Sequence, residues 1–308
     1  AQGDLPAALK AFKDSLAIRK RLAESDPTNA GWQCDLSISY GKIGDVLSAQ
    51  GDLPAALKAF KDSLAIAQRL ADSDPANADW QRNLSASLDR TGDVLSAQGD
   101  LPATLKAFKD SLAIRKRLAE SDPTNAGWQC DLSISYGKIG DVLSAQGDLP
   151  AALKAFKDSL AIAQHLTDAD PTNAAWQRSL SVSFNNIGNI LSAQGDLPAA
   201  LKAFQDSLAI AQRLAASDPT NAGWQRDLFV SFNNIGDVLS AQGDLPAALK
   251  AFKDSLAIAQ RLADSDPANA DWQQDLFASF DRTGNVLSAQ GDLPAALKAF
   301  KDSLAIAQ

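Results

Sequence analysis

Along residues 77–124 the large apolar side chains recur at helical spacing. Trp80, Leu84, Leu88, Val94 and Leu95 are separated by polar residues at intervals near 3.6 per turn, which predicts a helix from Asn77 to Gln98. Asp74 or Asn77 can cap its start, with Pro75 in the first turn or the loop before it. Gly99 stops this helix, and Asp100 is a natural N-cap for the next, with Pro102 in the first turn. The second helix runs from Leu101 to the neighbourhood of Glu120. It places Leu101, Leu105, Phe108, Leu112 and Leu118 on one stripe. Ser121-Asp122-Pro123 ends it, because a residue before proline disfavours the helical region. We call the first helix A and the second B; at about 20 residues, each is roughly 30 Å long.

This pattern returns with a period of 48. The motif Ala-Gln-Gly-Asp-Leu-Pro starts at Ala1, Ala49, Ala97, Ala145, Ala193, Ala241 and Ala289, giving six full repeats and a partial one over 289–308. All 13 prolines fall on this grid, either in the motif or in an Asp-Pro step. A two-helix unit cannot bury its apolar stripe alone, whereas stacked neighbours can. The expectation is one repeat array over residues 1–308, an α-solenoid of about thirteen helices. The chain opens and closes inside the pattern and contains no Met, so it reads as a fragment of a longer array.

Two glycine positions have different roles. Gly51 and its equivalents lie in the A–B turn, where a positive φ is easy. Gly44, Gly92, Gly140, Gly188, Gly236 and Gly284 lie inside helix A, where glycine costs about 1 kcal/mol against alanine. Its presence in all six copies predicts an approach between helices A and B too close for a Cβ.

Composition then excludes several classes of function. His165 is the single histidine, which rules out most histidine-based catalysis and His-rich metal sites. Cys34 and Cys130 occupy the same repeat position. With helices roughly 8–10 Å apart, they should lie about 20 Å from one another, too far for a disulfide. Both are read as free thiols. A net charge of −8 argues against nucleic-acid binding. No apolar run approaches the length of a membrane span, and no signal peptide is present. A cytoplasmic location is the expectation. There is no Gly-rich phosphate loop, no Cys–His pair and no paired carboxylates in an identifiable cleft. No enzyme activity, cofactor or metal is therefore expected.

The repeat resembles the tetratricopeptide family. The family pattern W-x2-L-G-x2-Y … A-x3-F … P is similar to Tyr40-x2-Ile43-Gly44-x2-Leu47, then Ala56-x3-Phe60, then Pro75. The period is 48 rather than the usual 34. The additional residues divide as about seven per helix, two turns each, which preserves helical phase. The Trp at 32, 80 and equivalent positions lies on the added part of helix A and is read chiefly as packing. The resemblance implies an all-α, right-handed superhelical solenoid of helix-turn-helix repeats.

Internal copies show where the repeats differ. Helix B is nearly constant, apart mainly from Arg19-Lys20 and Arg115-Lys116, which are Ala-Gln elsewhere. The basic runs Arg19-Lys20-Arg21 and Arg115-Lys116-Arg117 are read as a solvated helix B face. Helix A varies more. One position reads Cys34, Arg82, Cys130, Arg178, Arg226, Gln274, and another Ile38, Ala86, Ile134, Val182, Val230, Ala278. A third reads Gly41, Asp89, Gly137, Asn185, Asn233, Asp281, and its neighbour Lys42, Arg90, Lys138, Asn186, Asn234, Arg282. A fifth reads Asp45, Asp93, Asp141, Asn189, Asp237, Asn285. Positions 34, 38, 41 and 45 trace one helix face beside the packing stripe.

In the tetratricopeptide family this flanking face lines the concave groove where peptides bind. The resemblance therefore implies a partner-binding set of Arg82, Asp89, Arg90, Arg178, Asn185, Asn186, Asn189, Arg226, Asn233, Asn234 and Asp237. Phe229 and Phe277 replace serine in the fifth and sixth repeats. They are added as an apolar patch, with packing against a neighbouring helix as the alternative. Drift of surface positions and segmental duplication account for the same variation without a ligand. A carboxylate clamp of the family's kind is only partly matched by Lys42, Asn185, Asn189, Asn233 and Asn234. The functional expectation is a protein- or peptide-binding scaffold, similar to the recognition arms of large bacterial proteins. The alternative is a structural spacer or self-assembling rod joined end to end.

Overall fold

The computed structural model describes residues 4–306. Among them it contains thirteen α-helices and no strand: α1 (Leu5–Ser25), α2 (Ala30–Ala49), α3 (Leu53–Ser73), α4 (Ala78–Ala97), α5 (Leu101–Ser121), α6 (Ala126–Ala145), α7 (Leu149–Ala169), α8 (Ala174–Ala193), α9 (Leu197–Ser217), α10 (Ala222–Ala241), α11 (Leu245–Ser265), α12 (Ala270–Ala289) and α13 (Leu293–Ile306). Even-numbered helices are of type A and odd-numbered ones of type B. The chain forms two compact units, Ala1–Ile162 and Ala163–Gln308, with the boundary inside α7.

Local chemistry sets the helix ends. Asn77 is the N-cap of α4, its Oδ1 accepting from the Trp80 amide at 3.1 Å. Asp100 caps α5 through the Ala103 amide at 3.1 Å, with a proline in the first turn. At the end of α4 the Asp100 amide donates to the Leu95 carbonyl, and the Gly99 amide to the Ser96 carbonyl, both at 2.9 Å. This is a Schellman closure, which requires a left-handed residue at the position Gly99 holds. Its φ is 81°. The B–A turn closes differently. Asp122 Oδ1 accepts from the Thr124 amide and hydroxyl, and Asn125 then caps α6 through the Trp128 amide.

In the first unit each helix from α1 to α6 packs on its sequence neighbours, and α8 to α13 do the same in the second. The A-to-B contact has three layers. Near the A–B turn, Gly44 faces the Phe60 ring, where an added Cβ would lie 2.5 Å from Cε1. The same glycine–phenylalanine contact recurs at Gly140 with Phe156 and at Gly236 with Phe252. Helix A therefore tolerates an unfavourable residue because the ring of helix B fills the space. In the middle layer, buried serine hydroxyls meet across the interface: Ser37 with Ser63 at 3.0 Å and Ser181 with Ser207 at 2.8 Å. At the far end, Ala67, Ala71, Leu84, Ile114 and Leu118 form a core against which Trp80 and Trp128 pack. The added turns of each helix thus carry their own core, and these tryptophans belong to it.

Candidate functional site

The variable side chains of helix A form cross-links between successive A helices. In the first unit, Arg82 of α4 pairs with Asp131 of α6 at 3.5 Å. Asn83 Nδ2 donates to Cys34 Sγ at 3.4 Å, so a neutral pair occupies the equivalent rung between α2 and α4. In the second unit, Arg178 donates from Nη2 to Asp227 Oδ1 at 3.0 Å, and Arg226 from Nε to Asp275 Oδ2 at 2.9 Å. A parallel row lies nearer the C-terminal ends of the A helices: Arg90 with Asp45 at 3.4 Å, Lys138 with Asp93 at 2.5 Å and Arg282 with Asp237 at 3.4 Å. Lys138 Nζ also stands 4.9 Å from the centre of the Phe108 ring. Arg82, Arg90, Arg178, Arg226 and Asp237, read from sequence as partner-binding, are thus each engaged with an opposite charge on a neighbouring A helix.

Three other positions of that set sit in the helix interfaces. Asp89 is buried and meets Arg115 Nη2 at 2.6 Å. Asn233 is buried and accepts from Ser255 Oγ at 2.8 Å. Phe229 is 4% exposed and belongs to a core cluster with Ile258, Ala259, Leu262 and Leu276. Its ring is part of the fold, so the packing alternative describes it and no docking surface can use it. Phe277 and Asn185 are half-buried, and the Asn185 Oδ1 atom is buried without a hydrogen-bond partner among the described residues. Asn186 and Asn234 are half-buried, and Asn189 is exposed.

The basic runs of helix B need correction. Arg115 does not lie on a solvated face: it is 9% exposed. Its guanidinium donates to the Asp131 carbonyl and the Ser135 hydroxyl as well as pairing with Asp89. Arg19 likewise donates to the Asp35 carbonyl and the Ser39 hydroxyl. The rest of each run is exposed as expected: Arg21 and Arg117 are open to solvent, and Lys20 and Lys116 stand 3.9 Å from Glu24 and Glu120. An arginine fork can satisfy several acceptors at once, and a helix stripe alone does not show which acceptors lie across an interface.

Between the two rows of pairs lies a row that the sequence-derived set omits. Ile38, Ile134, Val182 and Val230 are 44%, 51%, 44% and 39% exposed. The signal for it was present in the sequence, as aliphatic residues recurring at one helix A position outside the packing stripe. Each unit therefore presents exposed aliphatic side chains between these cross-links, with Lys42 exposed one turn from Ile38. Burial pushes the thiols of Cys34 and Cys130 above their ordinary value, helped at Cys34 by Asp35 and at Cys130 by Asp131, which disfavours reactive thiolates. Both cysteines are free. Among the described residues, no group of three or more His, Cys, Asp or Glu side chains could hold a metal ion, and no helix is long and apolar enough to cross a membrane.

The tetratricopeptide repeat family model matches residues 35–117, 131–213 and 227–308. The chain belongs to the tetratricopeptide repeat family. No match to a curated protein was found. Among solved structures it is similar to BtubC (BKLC) from P. vanneervenii, at 17% identity and a TM-score of 0.65 over 87% of this chain and 94% of that one. It is also similar to the C-terminal part of a TPR repeat-containing protein from Cytophaga hutchinsonii, at 13% identity and a TM-score of 0.55, covering 98% and 93% of the two chains. A Podosopora anserina protein of nearly identical TPR-like repeats matches at 14% identity and a TM-score of 0.54 over 73% and 95%. At such identities these likenesses carry the fold alone. The family is a scaffold of the kind that generally mediates protein interaction, and no catalytic family is indicated.

Proposed function

We propose that residues 1–308 form one repeat array that binds protein or peptide partners on its A-helix face, as a recognition module of a larger protein. The observation that carries this reading is the contrast between the two helix types. Helix B is nearly constant, whereas helix A varies at outward positions and leaves Ile38, Ile134, Val182 and Val230 open to solvent. A constant frame with a changing exposed surface suits selective binding better than chemistry. Of the residues expected from sequence, Asn186, Asn189 and Asn234 remain on the proposed binding surface. The arginines support it indirectly by holding adjacent A helices together.

The test is panning the whole chain against a random peptide display library, beside a Val182→Asp/Val230→Asp variant of equal helicity. Enrichment by the first and not the second supports the reading; equal enrichment, or none, overturns it.

A further inference from the structure

We propose that a pocket between α4, α5 and α6 binds a free α-amino acid in its zwitterionic form. Its ligand is a small molecule, so the site does not depend on the peptide-binding reading above.

The pocket is an open cavity of about 350 Å³, lined among others by Asp79, Arg82, Asn83 and Ala86 of α4, Arg115 of α5 and Asp131 of α6. That volume falls at the small end of the range for small-molecule sites, about 300–1,000 Å³. All of these residues lie in the first unit. The second unit contains two rungs of the same kind, and the comparison shows why a cavity opens here. Arg178 makes two hydrogen bonds to Asp227, and Arg226 meets Asp275 at 2.9 Å. The Arg82–Asp131 rung is a single contact at 3.5 Å. Beside it stands Ala86, where the other two rungs have Val182 and Val230. A methyl group thus replaces a branched side chain next to the loosest of the three pairs.

The charges around this opening select a dipolar occupant. Asp79 is exposed and has no ion pair among the described residues; the equivalent residues of the other rungs are Ala175 and Gly223. Arg115 replaces Ala211 and Ala259, and its guanidinium is held by Asp89, the Asp131 carbonyl and the Ser135 hydroxyl. A lone anion at Arg82 would lie in a cavity also lined by the carboxylates of Asp79 and Asp131. A lone cation at those carboxylates would share the cavity with two guanidinium groups. A zwitterion meets both signs at once, its carboxylate on Arg82 and its ammonium on Asp131 and Asp79. The Asn83 amide donates to Cys34 Sγ, which leaves its Oδ1 as a further acceptor for the ammonium. Entry costs little, because the pair that must open is 49% and 30% exposed and such pairs contribute about 1 kcal/mol or less.

Isothermal titration calorimetry on the whole chain, with each standard amino acid in turn, tests the site. A single molecule should bind per chain. The deaminated acid and the decarboxylated amine of the tightest binder each keep one charge. Each should bind at least about tenfold more weakly, the size of one lost charge-assisted hydrogen bond. Ala86→Val should abolish binding by filling the cavity while helicity and thermal melting stay as in the parent, since valine already occupies this position on α8 and α10. Arg82→Gln and Asp131→Asn place in this rung the residues found at the equivalent positions Gln274 and Asn83. Each should weaken binding by at least about tenfold for the same reason. No binding by any amino acid at millimolar concentration overturns the inference. So does a single-charge analogue that binds as tightly as the zwitterion, or an Ala86→Val variant that binds like the parent. None of these outcomes alters the result of the peptide display experiment.

Discussion

The α4–α5 and α10–α11 interfaces descend from one repeat and hold different chemistry at the same positions. Between α4 and α5, Ser85 and Asp89 of helix A face Ser111 and Arg115 of helix B, with a buried ion pair at 2.6 Å. Between α10 and α11, Phe229 stands where Ser85 does and Asn233 where Asp89 does, opposite Ser255 and Ala259. The serine of helix B changes partner accordingly. Ser111 donates to the Ser85 carbonyl, whereas Ser255 turns to the Asn233 side chain. One interface keeps its middle layer polar and charged, and the other fills it with a ring. Three of these positions differ between them, and two of the three, Asp89 with Arg115 against Asn233 with Ala259, stand 26 residues apart in the chain and face one another.

The largest expected effects come from separating such pairs. Arg115→Ala leaves Asp89 buried beside an empty space, and loss of one member of a buried pair costs about 3–5 kcal/mol at neutral pH. That cost depends on pH in a defined direction. Burial pushes the Asp89 carboxyl above its ordinary value, and Arg115 pulls it back down. Without Arg115 the folded-state value rises further. The stabilisation from a protonated Asp89 is then full below the ordinary carboxylate range and is lost as pH rises through the raised value. Urea midpoints of Arg115→Ala should therefore approach those of the parent in acid and fall away toward neutrality. Adding Asp89→Asn, which reproduces the Asn-and-Ala combination of α10–α11, should recover most of the loss and remove the slope. If the double variant is no better than the single one, the two interfaces are not interchangeable solutions. Phe229→Ala tests the other side. A buried phenylalanine cut to alanine costs about 3–5 kcal/mol, because the cavity only partly closes. A change below about 1 kcal/mol in the urea midpoint analysis would show that the ring is not part of the core.

What both interfaces share is the contact of a helix A glycine with a helix B phenylalanine. A Cβ on Gly236 would lie 2.6 Å from the Phe252 ring. Gly236→Ala should lose about 1–3 kcal/mol by overpacking, and Gly92→Ala in the other interface should lose a similar amount. Gly137 is also inside a helix A, yet nothing lies within 4 Å of its added Cβ. Gly137→Ala should therefore gain about 1 kcal/mol from helix propensity alone. Thermal melts of the three variants decide the matter, and a loss at Gly137 would break the distinction.

These cases also show what the sequence could and could not disclose. Caps, turns and the glycine–phenylalanine contact were legible because each depends on residues close in the chain or on a position kept in all six copies. Asp100, Gly99 and Gly44 were read from spacing and recurrence and the structure agrees on each, and of the two candidate caps Asp74 and Asn77 it uses Asn77. Arg115 was misread because its acceptors lie on two other helices, Asp89 on α4 and Asp131 and Ser135 on α6. A stripe shows only which side chains share a face, not what stands opposite. Arg115 with Asp89 is, moreover, the sole Arg–Asp combination at these two positions in the chain, so the internal copies offered no second instance of the pairing. Outward variation was legible as variation. Its division into paired charges and open aliphatics needed the register between A helices, which a period of 48 does not supply.

The smallest expected effect separates burial from charge. Arg226 and Asp275 form an ion pair beside the α10–α11 interface, with 47% and 18% of their side chains exposed. Water screens such a pair, and holding two side chains in place has its own entropic cost, so Arg226→Ala should change stability by less than about 1 kcal/mol. Moderate salt should shrink that difference further, because exposed charges are screened over about 10 Å at 0.1 M ionic strength. The cost of Arg115→Ala should hardly respond to salt, because the Arg115–Asp89 pair lies inside the interface. Urea midpoints of both variants at low and high salt provide the measurement. If Arg226→Ala proved as costly as Arg115→Ala and equally indifferent to salt, exposure would not be what ranks the charges of this protein. The outer rungs would then belong to its core, alongside the buried pair.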